Sequence, residues 1–328
     1  MPKAIVTGAG GFTGSNLCRN PIEHGYEVKA MVHPDGSTEA LHGLDLEIIH
    51  GDIARDDGLD QRHFHNIDTV FHIAALFRQE RATREIFHNV NATGTQRVLR
   101  YATDAGVKRF VHCSTAGVHG RIDTNTPADE NAPFRPGDWY QETKLEGEKI
   151  ALEWGKNHNI GVTVIRPSAI CGPGDQRFVK LFRSVKQRHF VMIGSGEHHY
   201  HFVYVDDLAK GFILGAEKPE AIGEVFIIAG PYSITMNKLI DQVCQSVQAP
   251  KPRFRIPAAP VLWAAHVCAG ICKPLGISPP LYPRRLDFFT KHRSFDTTKA
   301  RTKLGYVPQV TPEEAISRMG AWYQEHCP

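Results

Sequence analysis

Long apolar runs, charge blocks and regular cysteine spacings are all missing from this chain of 328 residues. The uncharged stretch 256–272 contains Pro257, Pro260 and His266. A bilayer-spanning helix needs about 20 apolar residues, so a transmembrane span is excluded. There is no Lys/Arg block, and a formal net charge of +3 is too small for an electrostatic nucleic-acid footprint. The seven cysteines are odd in number and irregularly spaced. They form no disulfide framework, so reduced thiols and a cytoplasmic setting are expected. Met1-Pro2-Lys3 runs directly into the strand-like Ala4-Ile5-Val6, so no signal peptide is expected. No repeat period and no low-complexity tract is visible, which excludes solenoids and long disordered linkers.

What is present describes an ordinary soluble globule, with 41% hydrophobic and 22% charged residues. The length suits two lobes. Short apolar runs at 3–7, 27–33, 46–53, 69–75, 109–115, 162–167 and 223–229 read as seven strands. They alternate with helical segments, which predicts an α/β fold: a parallel sheet with helices on both faces. A smaller, mostly C-terminal substrate lobe follows. The boundaries expected are 1–167 plus about 202–230 for the dinucleotide-binding domain, and about 168–201 plus 231–328 for the substrate lobe.

The first strand ends in Gly8-Ala9-Gly10-Gly11-Phe12-Thr13-Gly14, and a helical run follows. Strand, glycine turn and helix make a phosphate cradle. Glycines let the backbone approach a pyrophosphate, and the helix start supplies N–H groups and partial positive charge. The spacing is Gly8-x-x-Gly11-x-x-Gly14 rather than GxGxxG. At the end of the second strand an acid binds ribose hydroxyls, whereas a base tolerates a 2′-phosphate. Here His33 stands at that end, with Asp35 two residues later and no arginine nearby. The missing acid leans the reading to NADP(H); Asp35 reaching the ribose keeps NAD open. Asp52, after the third strand, suits an adenine edge. Small Ala74 and Ala75 after the fourth strand would let a cofactor lie close. Ser114 and Thr115 put two hydroxyls at the C-terminal end of the fifth strand, where ligands of open α/β sheets bind.

Tyr140 and Lys144 lie four residues apart in a run of helix formers and share one helix face. A free phenol has a pKa of about 10. An ammonium ~4 Å away, at an effective dielectric of ~20, favours the phenolate by about 4 kcal/mol, or roughly 3 pKa units. Such a phenol works as a general acid/base at neutral pH. The pair can therefore exchange a proton with an alcohol–ketone couple.

Together these features resemble the extended short-chain dehydrogenase/reductase family, the NAD-dependent epimerase/dehydratase and 3β-hydroxysteroid dehydrogenase group. The resemblance covers nearly the whole chain. It rests on the glycine run, Gly51-Asp52-Ile53, His72-Ile73-Ala74-Ala75, Asn91 with Gly94-Thr95, Ser114-Thr115, Tyr140-x-x-x-Lys144 and Arg166-Pro167. The distance from Thr115 to Tyr140 also looks like that of the family. The resemblance implies a Rossmann-type sheet and these roles. Tyr140 is the acid/base, Lys144 lowers its pKa and binds the nicotinamide ribose, and Thr115 polarises the substrate oxygen, with Ser114 as the neighbouring alternative. Gly8, Gly11, Phe12, Thr13 and Gly14 hold the pyrophosphate, and His33 faces the adenosine ribose. Asp52 and Ile53 contact adenine, Ala74 and Ala75 line the groove, and Pro167 lies near the nicotinamide. Asn91 orders local backbone. A homodimer, through the helices following Arg84 and Tyr140, is also implied.

Nucleotide-sugar members usually carry Asn-Val-Tyr-Gly after the sixth strand. This chain has Ser168-Ala169-Ile170-Cys171-Gly172-Pro173 there. That looks more like the hydroxysteroid dehydrogenase and dihydroflavonol reductase-like branch, as does Leu304-Gly305-Tyr306-Val307-Pro308. The function implied is an NAD(P)-dependent oxidoreductase acting on a fairly apolar, sterol-like or polycyclic small molecule. The alternative is a nucleotide-sugar epimerase or dehydratase with tightly bound NAD. The stretch 256–272 reads first as a helix buried in the substrate lobe; the other reading is a greasy lid, with peripheral membrane contact. Asp206-Asp207 reads as the cap of a helix starting near Leu208. Glu197-His198-His199-Tyr200-His201 could offer metal ligands, but adjacent histidines on a strand alternate faces and the chemistry needs no metal, so none is assigned.

Overall fold

In the computed structural model every residue is described except 78, 80, 81, 123–125, 273–282 and 328; at 283–285 only the backbone is described. Each of the seven apolar runs forms a strand. In chain order the main elements are β1 (Lys3–Thr7), α1 (Phe12–Glu23), β2 (Glu27–Val32), β3 (Glu47–His50), β4 (Thr69–His72), α2 (Arg84–His88), α3 (Gly94–Asp104) and β5 (Arg109–Cys113). Then come α4 (Trp139–Asn157), β6 (Gly161–Pro167), α5 (Gln176–Lys186), α6 (Val205–Glu217), β7 (Val225–Ile228), α7 (Met236–Ser246), α8 (Ala258–Cys272), α9 (Pro283–Thr290) and α10 (Pro312–His326).

The strands form one sheet in the order β7-β6-β5-β4-β1-β2-β3, with every neighbouring pair parallel. This is the predicted Rossmann-type arrangement. The order reverses between β1 and β4, so a crevice opens above their C-terminal ends. Successive side chains of a strand point to opposite faces, and both faces are buried. Ala4 and Val6 pack with Leu17 of α1 and Phe212 of α6, whereas Ile5 packs with Val98 and Leu99 of α3 and Ala151 of α4. Phe71 and Val111 join the first layer; Val70 and Phe110 join the second. Each of the larger buried side chains among these contributes about 1.5–3 kcal/mol.

A second core lies in the C-terminal lobe, where Phe182 of α5, Ile240 of α7 and Met319 of α10 pack together. The two cores share the segment 202–204: Val203 packs on the sheet, and Phe202 and Tyr204 pack in the lobe. Farther on, Ala300, Leu304 and Tyr306 leave the lobe and pack on the sheet side, where the Tyr306 hydroxyl donates to the Ala229 carbonyl at 3.0 Å.

Two expectations are corrected. The helix in 256–272 is not core. Of the residues of α8 only Ala265 is buried, while Trp263 is 71% exposed and Ile271 58%. The helix carries no charged residue and so avoids water, yet among the described helices it packs chiefly on α9. Among the described residues no helix is long and apolar enough to cross a membrane. The acidic pair Asp206-Asp207 does not cap a helix either, because α6 already begins at Val205. Asp207 is buried, and its Oδ2 accepts the N–H groups of Gln309 and Val310, each at 2.9 Å.

Candidate active site

The C-terminal ends of β1 and β4 are locked together by one hydroxyl. Thr7 Oγ1 lies 2.9 Å from His72 Nδ1 and accepts the N–H groups of Ile73 and Ala74, each at 3.2 Å. The chain then turns at Gly8 with φ +71°, and a Cβ there would stand 2.7 Å from Ala74 Cα. Only glycine meets both demands. A Cβ on Gly14 would stand 2.2 Å from the Gly8 carbonyl oxygen, so α1 starts directly against the turn. No side chain caps α1 at Gly11, and its first turn holds no acid. Its opening N–H groups, around Phe12 and Thr13, and its dipole therefore remain available to an anion. This cradle fits a dinucleotide pyrophosphate.

At the far edge His33 is exposed. Its Nδ1 accepts the Asp35 N–H at 3.1 Å, and its Nε2 lies 3.8 Å from Asp52 Oδ2. Asp52 Oδ1 accepts the Ala54 N–H at 2.9 Å, which turns the chain after β3. Ile53 turns inward instead. Its side chain is buried in the sheet core against Gly94, so it offers no side-chain surface for adenine.

The near edge is built by α4. Asp138 caps it by accepting the Gln141 N–H at 2.9 Å. Tyr140, in the first turn, is half-buried and meets Phe77 edge-on, with ring centroids 4.8 Å apart. Phe77 follows Ala75 in the loop after β4. Asn91 fixes that loop: its Oδ1 accepts the Leu76 N–H at 2.8 Å, and its Nδ2 donates to the Leu76 carbonyl at 3.2 Å and to Thr143 Oγ1 at 3.0 Å. The phenol thus stands at the wall carrying Ala74 and Ala75. One turn on, Lys144 is 1% exposed, and its Nζ has no hydrogen-bond partner among the described residues. Burial lowers its pKa, and the Cys113 thiol and the Glu148 carboxylate pull it back up. A buried ammonium without an acceptor is costly. It fits the hydroxyls of a bound ribose.

The two hydroxyls after β5 are not equivalent. Ser114 is buried and donates to Glu148 Oε2 at 2.7 Å. Thr115 is half-buried, and its Oγ1 accepts the Gly117 N–H at 3.0 Å, leaving its own O–H to donate elsewhere. Glu148 is a residue that the sequence reading missed, although it follows Lys144 by four positions and so continues the stripe Tyr140–Lys144–Glu148. It forms a two-pronged pair with Arg166 of β6, at 2.5 Å and 3.0 Å, with both side chains almost fully buried. Arg166 also donates to the Glu130 carbonyl at 3.0 Å and lies 5.0 Å from the centre of the Phe134 ring. Pro167 ends β6 and is buried beside Ile228. Beyond it, a Cβ on Gly172 would lie 3.3 Å from the Phe12 ring, so the chain after β6 returns to the glycine loop. The ends of β1, β4, β5 and β6 therefore converge on one groove. His199 and His201 turn away to Ser233 and the Gly230 carbonyl.

A profile described as the NAD dependent epimerase/dehydratase family matches residues 4–229. The chain belongs to that family. It is 31% identical over 338 residues to the 3 beta-hydroxysteroid dehydrogenase/Delta 5-->4-isomerase of Mycobacterium tuberculosis, covering 98% of this chain and 90% of that protein. It is 29% identical over 349 residues to the 3beta-hydroxysteroid-dehydrogenase/decarboxylase isoform 2 of Arabidopsis thaliana, covering 96% of this chain. The chain spans 60% of the length of that plant protein. Among solved structures, DesIV (dTDP-glucose 4,6-dehydratase) from Streptomyces venezuelae with NAD and TYD bound superimposes with a TM-score of 0.79 at 26% identity, covering 99% and 97% of the two chains.

Within this epimerase/dehydratase fold, two outcomes are expected. Removing one partner of a buried ion pair costs about 3–5 kcal/mol, because the other charge is left uncompensated. Glu148→Gln should lower the unfolding free energy in urea by that amount; an unchanged midpoint would show that the pair does not tie α4 to β6. The second concerns acid. Burial holds His72 down at about 3 and His201 at about 4, and pushes His112 well below its ordinary value; the charge of Lys144 adds to the shift at His72 and His112. Their folded pKa values are depressed below the unfolded value of about 6.5, so below that pH the unfolded chain binds more protons. Stability should be flat with respect to these rings above about pH 6.5. Below it, stability should fall by up to about 1.4 kcal/mol per pH unit for each ring. Urea midpoints at pH 7 and pH 5 test this, and equal values would contradict buried neutral rings.

Proposed function

We propose that this protein is an NAD-dependent oxidoreductase that interconverts an alcohol and a ketone on a fairly apolar, sterol-like or polycyclic substrate. The observation that carries this reading is the position of Tyr140. It stands against Phe77 at the wall of the glycine-lined groove, one helical turn from the enclosed Lys144. The hydroxysteroid reactions in the names of the two relatives support the substrate class.

Gly8, Gly11, Phe12, Thr13 and Gly14 would hold the pyrophosphate, Ala74 and Ala75 the adjoining wall, and Pro167 the nicotinamide end. When bound, the cofactor supplies the acceptor or donor of hydride. Lys144 binds the nicotinamide-ribose hydroxyls, which gives its buried ammonium acceptors, and its positive charge favours the phenolate of Tyr140. Tyr140 Oη exchanges the proton with the substrate oxygen. Thr115, through its free O–H, holds that oxygen in place. Ser114 is committed to Glu148 and acts by positioning the end of β5.

The pair of carboxylates around His33 supports NAD over NADP, reversing the lean of the strand end alone. Asp35 Oδ2 lies 3.9 Å and Asp52 Oδ2 3.8 Å from the ring. A 2′-phosphate would be brought against both, whereas a 2′-hydroxyl can donate to either. The seven free thiols support a reducing, cytoplasmic setting. The family resemblance supports a homodimer through the outer faces of α2 and α4, which light scattering would detect.

Tyr140→Phe should keep NAD affinity and lose about 10²–10⁴ in turnover of a hydroxysteroid, the range for a general acid/base. Thr115→Ala should also lose turnover at unchanged NAD affinity, whereas Ser114→Ala should mainly lower stability. Unchanged turnover in Tyr140→Phe would end the reading. Protein that retains NAD through gel filtration and converts a nucleotide sugar would replace it with the epimerase or dehydratase alternative. In the wild type, kcat/KM with NAD should exceed that with NADP by at least about ten-fold, equivalent to 1.4 kcal/mol.

A further inference from the structure

A helix that is apolar all round belongs either in a protein core or in lipid. Helix α8 carries no charged residue over Ala258–Cys272, yet only Ala265 is buried. Trp263, Val267 and Ile271 succeed one another at intervals of four, so they form one outward ridge. They are 71%, 41% and 58% exposed, and Phe254 and Ile256, just ahead of the helix, are exposed as well. At about 1.5 Å per residue the helix is near 22 Å long, short of the ~30 Å hydrocarbon layer. It can lie in an interface but cannot cross a bilayer.

The unpaired charge in the chain leading into this ridge is positive. Between Asp241 and Asp287 the chain contains no Asp or Glu. Lys251, Arg253 and Arg255 precede α8 on the surface. Lys251 is neutralised by Asp241 at 2.6 Å. Arg255 spends its donors on the neutral Ser195 carbonyl and Asn237 side chain, and Arg253 has no carboxylate partner among the described residues. A second copy docked through the same face would set Arg253 and Arg255 against the same cationic flank. An anionic lipid headgroup layer supplies the counter-charge and, beneath it, an apolar phase for the ridge; Trp is favoured at that depth.

We propose that α8 and its cationic N-terminal flank seat this protein on an anionic membrane surface as a peripheral, non-spanning contact. Trp263, Val267 and Ile271 enter the acyl boundary, and Arg253 and Arg255 engage headgroup phosphates. Docking needs no part of the hydride chemistry, so it stands or falls separately from the proposed reaction.

The test uses the full chain with extruded vesicles of phosphatidylcholine alone or with about one-third phosphatidylglycerol, read by co-sedimentation and tryptophan emission. Binding to the anionic vesicles is expected to be at least about ten-fold stronger, with a blue shift in emission, and to weaken as salt is raised to about 0.5 M. The double variant Trp263→Glu/Ile271→Glu should lose about ten-fold or more in partition at unchanged circular dichroism and melting temperature. Arg253→Glu should lose only the preference for anionic lipid. The proposal is overturned if wild type ignores both vesicles, or if the double variant binds as wild type does. It is also overturned if gel filtration shows a dimer that the double variant dissolves while vesicle binding is absent, since a second copy would then cover the ridge.

Discussion

Glu148 and Arg166 have given up nearly all contact with water, and neither could stay charged there without the other. Such a pair adds little net stability over an apolar packing of the same volume, because desolvation offsets the attraction. What it imposes is geometric. The carboxylate on α4 must meet the guanidinium on β6, and its second oxygen must also receive the Ser114 hydroxyl at the end of β5. A rotation of α4 by one residue would leave a buried charge, so the helix has one permitted register against the two strands. Tyr140 and Lys144 lie on the same stripe and are aimed by that register.

The electrostatics of the groove follow. Lys144 is enclosed, and burial alone would drive it toward the neutral form. The Glu148 carboxylate one turn away opposes that tendency. The histidines nearby do not compete for positive charge, because His72 and His112 are themselves buried and kept neutral. His72 serves as a strut between Thr7 and Thr95. The site thus concentrates one cation behind one phenol, with Ala74 closely packed against Gly8 of the glycine cradle.

In the C-terminal lobe α8 obeys a different constraint. Its composition states that it avoids water, which by itself predicts a place in a core. Yet the C-terminal lobe is already filled by α5, α7 and α10, and only Ala265 finds a buried place. Hydropathy reports which solvent a segment rejects; whether protein or lipid covers it depends on what other elements leave free.

The sequence by itself determined the seven strands, the glycine turn and the one-turn spacing of Tyr140 and Lys144. Strand alternation, the steric freedom of glycine and the helical repeat all act over a few neighbouring residues. Only the tertiary structure decided that Ser114 is bound to Glu148 while Thr115 keeps its proton, and that Ile53 turns into the core beside Gly94. It also decided that Asp207 receives the N–H groups of 309 and 310, and that 300–306 packs on the sheet. Each of these depends on a partner that is distant in the chain. Such encounters are fixed by how layers pack and where buried polar groups find acceptors, and no local pattern of residues encodes them.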